Sequence, residues 1–217
     1  MKKLINIILV LVMSGFVSTS YAATIKWSMP GDSLTLDPHA QNEGPTHMVS
    51  RQVYEGLVTP GINMEILPQL AESWEATSAD IWIFNIRKDV KFHDGSDLDA
   101  RDIAFSINRA KTAPSDMVDL IKSIKSASAI DDHTVVINTN GPNPLLLNQL
   151  TQIFVMSEAW AKANGCEVSY NWDAGETSYC ASNANGTGPS KLHSENKTLE
   201  LFLKRMVIGG VITAHIT

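Results

Sequence analysis

Ile81-Trp82-Ile83-Phe84-Asn85-Ile86-Arg87 is rich in aromatic and β-branched side chains, the types that fit a pleated surface, and it predicts a buried strand. Downstream, Phe92-His93-Asp94-Gly95 reads as a tight turn. Asp99 then suits the N-cap of a helix running through Lys111, with Ala100, Ile103, Ala104, Ile107 and Ala110 on its inner face. Met117 to Lys125 carries apolar residues at helical intervals. Asp131-Asp132 turns the chain into a strand from Thr134 to Thr139 that points Val135 and Ile137 inward. Pro144 to Ala163 holds one or two helices around a strand-like Ile153-Phe154-Val155. Upstream, Thr24 to Met29 alternates as a strand, and the polar stretch from Asp32 to Pro45 reads as a long loop. Thr46 is placed to cap a helix bearing Met48, Val49, Val53 and Leu57, which Pro60-Gly61 stops; Leu67 to Glu72 is turn-like. Strands and helices mixed in this order indicate an α/β or α+β chain.

Composition narrows the function classes. In 217 residues, 17 basic against 23 acidic side chains give a formal charge of -6, which argues against binding nucleic acid phosphates or an anionic membrane. A 44% hydrophobic content excludes a disordered chain, and no fixed-period repeat suggests a solenoid. Residues 1–22 read as a signal peptide. Lys2 and Lys3 are basic, Leu4 to Val17 is apolar but short for a membrane span, and Ser20-Tyr21-Ala22 fits cleavage after Ala22, with Ala23 the alternative. Export to an oxidising compartment is therefore expected. In that oxidising setting Cys166 and Cys180, 14 positions apart, pair plausibly as one structural disulfide, stabilising by about 3 kcal/mol.

No catalytic signature stands. GxSxG, HExxH and CxxC are absent, and Gly186-Thr187-Gly188-Pro189-Ser190-Lys191 lacks Walker spacing. His39 and His47 share one loop region; solvated histidines are the plain reading and a metal pair the alternative. His93-Asp94 resembles a general-base pair, the only support for an exported hydrolase, but Asp94-Gly95 is first a turn dipeptide. An enzyme, a resident metal and a cofactor are not expected.

Longer blocks carry more. Pro68-Gln69-Leu70-Ala71-Glu72-Ser73-Trp74-Glu75, Trp82 through Gly95, and Asp102-Ile103-Ala104-Phe105-Ser106 follow one another. Leu36-Asp37-Pro38-His39 and Tyr54-Glu55-Gly56-Leu57-Val58 precede them, and Asn185-Gly186-Thr187-Gly188-Pro189 follows. This succession, from Thr24 to about Leu192, resembles the peptide/nickel/opine family of solute-binding proteins of bacterial ABC importers, most of all the dipeptide and oligopeptide binders. The resemblance implies the first lobe of a two-lobed, type II periplasmic-binding-protein-like α/β fold, and a monomer that hands a peptide or other small solute to the importer's permease subunits. It implies that Glu43-Gly44-Pro45 lies in a loop reaching the bound peptide's backbone, and that Phe105 stands where those binders carry an aromatic facing the ligand. A nickel or haem binder of the same superfamily is the alternative cargo.

The pattern then breaks. Ser190 replaces the aromatic usual after Pro189, and Met206 to Thr217 does not match the Trp-Trp-containing segment with which members continue. Codons for Ile208 to Thr213 can be chosen so that the frame one nucleotide earlier spells Asp-Trp-Trp-Gly-His-Asn. The expectation is an N-terminal part of the binding domain over 23–196 and a frameshifted tail over 197–217. A chain of that kind lacks the second wall of the cleft, so poor stability and impaired binding, or an inert pseudogene product, are expected.

Overall fold

The computed structural model describes residues 31–191 and, beyond them, a two-stranded antiparallel pair, β7 Val207–Ile208 and β8 Val211–Ile212. The expected signal peptide, the Thr24 to Met29 strand and the rest of the expected tail lie outside the described residues.

The quoted strand is central. As β4, Ile81–Ile86, it pairs with β3 (Ala71–Ala76) on one side and β6 (Thr134–Thr139) on the other. β5 (Ile124–Asp131) completes a four-stranded antiparallel sheet in the order β3-β4-β6-β5. Register sets Phe84 opposite Val135 and Trp82 opposite Ile137. Phe84 and Ile86 are buried while Asn85 is exposed, so β4 buries one face rather than both, as antiparallel sheets commonly do. Helix α2 (Ala100–Ala110) covers that face with the expected stripe. Asp99 caps it by accepting from the Arg101 amide, and the Asp102 carboxylate returns a bond from the Asp99 amide, a complete capping box. Asn108 locks α2 to the sheet, donating to the Ala127 carbonyl at 2.8 Å and accepting from its amide.

Several local readings change. Helix α1 spans Gly44–Val53 and is capped by Glu43, whose carboxylate accepts from the Thr46 amide at 2.8 Å; Thr46 is inside the helix. It ends before Leu57 because Tyr54 turns extended to bury its ring and bond the Leu36 carbonyl. Pro60 instead ends β1 (Val58–Pro60), whose hairpin partner β2 (Ile66–Pro68) begins after Glu65, so that Leu67 and Pro68 belong to β2, and Ala71 and Glu72 to β3, where a turn was expected. Met117 to Lys125 forms turns around the buried Met117 and Ile121, then enters β5. Ser126, Ala127, Ser128 and Ala129 are small and carry little pattern of their own; pairing with β6 decides their conformation.

Helices α3 (Leu146–Leu150) and α4 (Glu158–Ala163) flank Phe154, which bridges to Gly56. They lead into a second, smaller cluster made of Val53, Tyr54, Phe154, Met156, Ala161 and the two cysteines. Cys166 and Cys180 are joined as a disulfide in its centre.

Candidate functional site

The long loop before α1 is polar in sequence but not solvated. Asp37 and Arg109 form an ion pair with both side chains fully buried. The guanidinium meets Asp37 through Nη1 at 2.9 Å and Nη2 at 2.6 Å, while Nε donates to the Cys166 carbonyl at 2.9 Å. His39 is also buried, correcting the reading of a solvated histidine. Its Nε2–H donates to the Phe154 carbonyl at 3.0 Å, which leaves Nδ1 to accept from Arg109 at 2.9 Å. Burial first, and the neighbouring guanidinium second, lower its pKa to about 3, so it stays neutral. Both ring nitrogens are committed, which leaves His39 no lone pair for a metal.

His47 is half-buried, with Nε2 3.0 Å from the Asn42 side-chain oxygen. Burial, then Arg51, lower its pKa. No group of three His, Cys, Asp or Glu among the described residues is arranged to hold a metal ion. His93 and Asp94 are likewise scaffold. His93 Nε2–H donates to the Gly188 carbonyl at 2.8 Å, and the Asp94 carboxylate accepts from Asn185 and Ser96. The bond to Gly188 fixes the His93 tautomer with the basic lone pair on Nδ1, an atom buried inside the protein and closed to a substrate.

The Gly-rich block near the end of the described chain has a mechanical role. The Gly188 amide donates to the Val53 carbonyl and the Ser190 amide to the Gln52 carbonyl, satisfying the C-terminal end of α1. A Cβ on Gly186 would stand 2.0 Å from the Val53 carbonyl oxygen, and one on Gly188 2.6 Å from the Val53 carbonyl carbon, so only glycine admits this approach.

A groove of about 640 Å³ runs along the outer face of α2. Phe105, half-buried, forms part of its floor and packs against the disulfide cluster beneath. Glu158 at the start of α4, and Glu167 and Val168 just after Cys166, form the opposite wall. Asp102, buried beside it, accepts from the amides of Asp99 and Glu158 and so ties α2 to the start of α4. Burial raises its pKa to about 6 despite those two bonds, with the Asp99 and Glu158 carboxylates adding to the rise.

The other expected ligand residues lie elsewhere. Glu43 spends its carboxylate on capping α1, Pro45 sits in the first turn, and Gly44 is exposed with no atom within 4 Å of a Cβ built on it. They occupy the end of α1 opposite Val53 and Tyr54, and do not line the Phe105 groove. Sequence reasoning missed Asp37 and Arg109 as a pair. Neither residue carries a local pattern that points to the other, since they lie 72 positions apart in the sequence.

Comparisons with known proteins bear on the family and the fold. The family model for bacterial extracellular solute-binding proteins, family 5 (Middle), matches residues 65–205. The periplasmic oligopeptide-binding protein OppA of Escherichia coli K12 is 30% identical over 129 residues, 51% of this chain and 24% of that protein. The glutathione-binding protein GsiB of Escherichia coli O6:K15:H31 is 27% identical over 178 residues, 80% of this chain and 32% of its own length. Among solved structures, NikZ from Campylobacter jejuni in complex with Ni(L-His) has a TM-score of 0.65 at 25% identity, over 77% of this chain and 32% of that one. The matched region thus spans a quarter to a third of each relative's length.

Proposed function

As this chain belongs to the bacterial extracellular solute-binding proteins of family 5, we propose that it contributes one wall of a site capturing short peptides in the periplasm for an ABC importer. Residues 1–22 serve as its export signal. The observation that carries the reading is the family match over 65–205, in the company of relatives named for oligopeptide and glutathione binding. Phe105, half-exposed on the groove floor, is the residue we assign to the ligand face, with Glu43, Gly44 and Pro45 as a separate contact at the head of α1. The whole binding protein's cargo and permease partners follow from the same reading. Nickel is the second reading, favoured by the likeness to NikZ; the engagement of both His39 nitrogens weighs against it.

One wall buries little of a ligand, so affinity is expected in the millimolar range. Amide chemical shifts should move on titration with di- and tripeptides and stay still with Ni²⁺–histidine. The opposite pattern replaces peptide by nickel; silence with both defeats the capture reading for this chain. Sequencing the locus tests the shift of frame within 197–217: an alternative frame that encodes no further lobe removes it.

A further inference from the structure

The groove beside Phe105 has a charge balance that composition hides. Four of its lining residues, Arg101, Arg109, Glu158 and Glu167, are charged. Three are spoken for within the chain. Arg101 is engaged by the Asp99 carboxylate, Arg109 by Asp37, and Glu158 by Lys162 at 2.7 Å. Glu167, exposed just after Cys166, has no ion pair among the described residues. The uncompensated charge facing the groove is therefore negative. Next to it the lining is apolar, formed by Ala104, Phe105, Ala129 and Val168.

We propose that the groove is a subsite for a basic side chain of the captured peptide. The aliphatic stem of a lysine or arginine lies along Phe105 and Val168, and its cationic head meets the Glu167 carboxylate. An apolar strip ending in one free carboxylate matches a long stem with a terminal charge, and an aromatic face favours the cation further. The inference rests on the peptide-binding reading above, but the two fail differently.

Acetylated Ala-Lys-Ala, Ala-Leu-Ala and Ala-Glu-Ala, together with unblocked Ala-Leu-Ala, are titrated by NMR into the full chain and into Glu167→Gln. Glu167 makes no hydrogen bond or ion pair within the described residues, so this variant keeps the fold. The blocked lysine peptide is expected to bind about fivefold more tightly than the blocked leucine peptide, the scale of one exposed ion pair. Glu167→Gln should level the two, with shifts centred on 101–112 and 167–168. A lysine preference that is absent, or that survives in Glu167→Gln, overturns the subsite. So does a gain that follows the unblocked α-amine whatever the side chain. Binding of all peptides alike defeats the subsite alone, and binding of none defeats it together with peptide capture.

Discussion

Phe84 and Arg109 are both buried, yet what surrounds them differs in kind. Phe84 sits among the apolar side chains of β4, β6 and α2, near the Trp74 ring, in a core whose members arrive from alternating strands and one amphipathic helix. Arg109 sits among a carboxylate, an imidazole and carbonyls drawn from the loop before α1 and the segment around Cys166. The first region is non-directional and tolerates repacking. The second depends on each partner being present, because every unpaired buried polar group costs its desolvation in full. One side of the molecule is held by pattern, the other by specific bonds and a disulfide.

That contrast can be broken or sharpened by experiment. Arg109→Ala is expected to cost the most, about 5 kcal/mol, since it strands the Asp37 charge together with His39 and the Cys166 carbonyl. Urea unfolding measures it, and Arg109→Met combined with Asp37→Leu should recover much of the loss. No recovery would mean that the pair matters for more than charge balance. Phe84→Ala should cost about 3 to 5 kcal/mol through cavity formation, with no partner change that rescues it. Reducing the disulfide should cost about 3 kcal/mol. Hydrogen exchange should then accelerate at 35–39 and 166–190 well before β4 and β6. Uniform acceleration would show that the two regions unfold as one.

Acidity separates the regions on a finer scale. His39 has a folded pKa of about 3 against an ordinary 6.5. Its contribution is therefore complete above pH 6.5 and is lost below it at about 1.4 kcal/mol per pH unit. Asp102 works oppositely: with its folded pKa raised to about 6, lowering the pH from there toward the ordinary carboxylate value favours the folded state. Wild-type stability should vary little between pH 6 and 4 on account of these two groups. Asp102→Asn should uncover the His39 slope, a loss of about 2 kcal/mol between pH 6.5 and 5, read from urea midpoints. A flat profile in that variant would mean that His39 takes up its proton without unfolding. The smallest effect expected is Asp99→Ala, about 1 kcal/mol in thermal unfolding from a lost cap.

The same contrast explains what could be read in advance. β4, β6 and α2 were legible because their burial repeats locally: Phe84 and Ile86 alternate, and Ile103 and Ile107 lie one turn apart. Cys166 and Cys180 were legible through spacing and the expected compartment. β5 was not, since its small residues take their conformation from β6. Asp37 and Arg109 were not either, because they meet across 72 residues of sequence and neither shows a local pattern. Of the residues expected to meet a ligand, Phe105 lines a groove, but the charge balance there depended on knowing which neighbours were already paired. Glu43 also caps α1, a structural role that the Pro45 following it could have suggested.

The bonds that close the second cluster have a consequence in time. Thr35 waits for the Tyr170 hydroxyl across 135 residues, the Leu36 amide for the Ala181 carbonyl, and the end of α1 for Gly188 and Ser190. Synthesis delivers these partners last, after the whole sheet and its helix. The earliest described residues are thus the latest to find their places, and until then they are open to proteases and to the wrong neighbours.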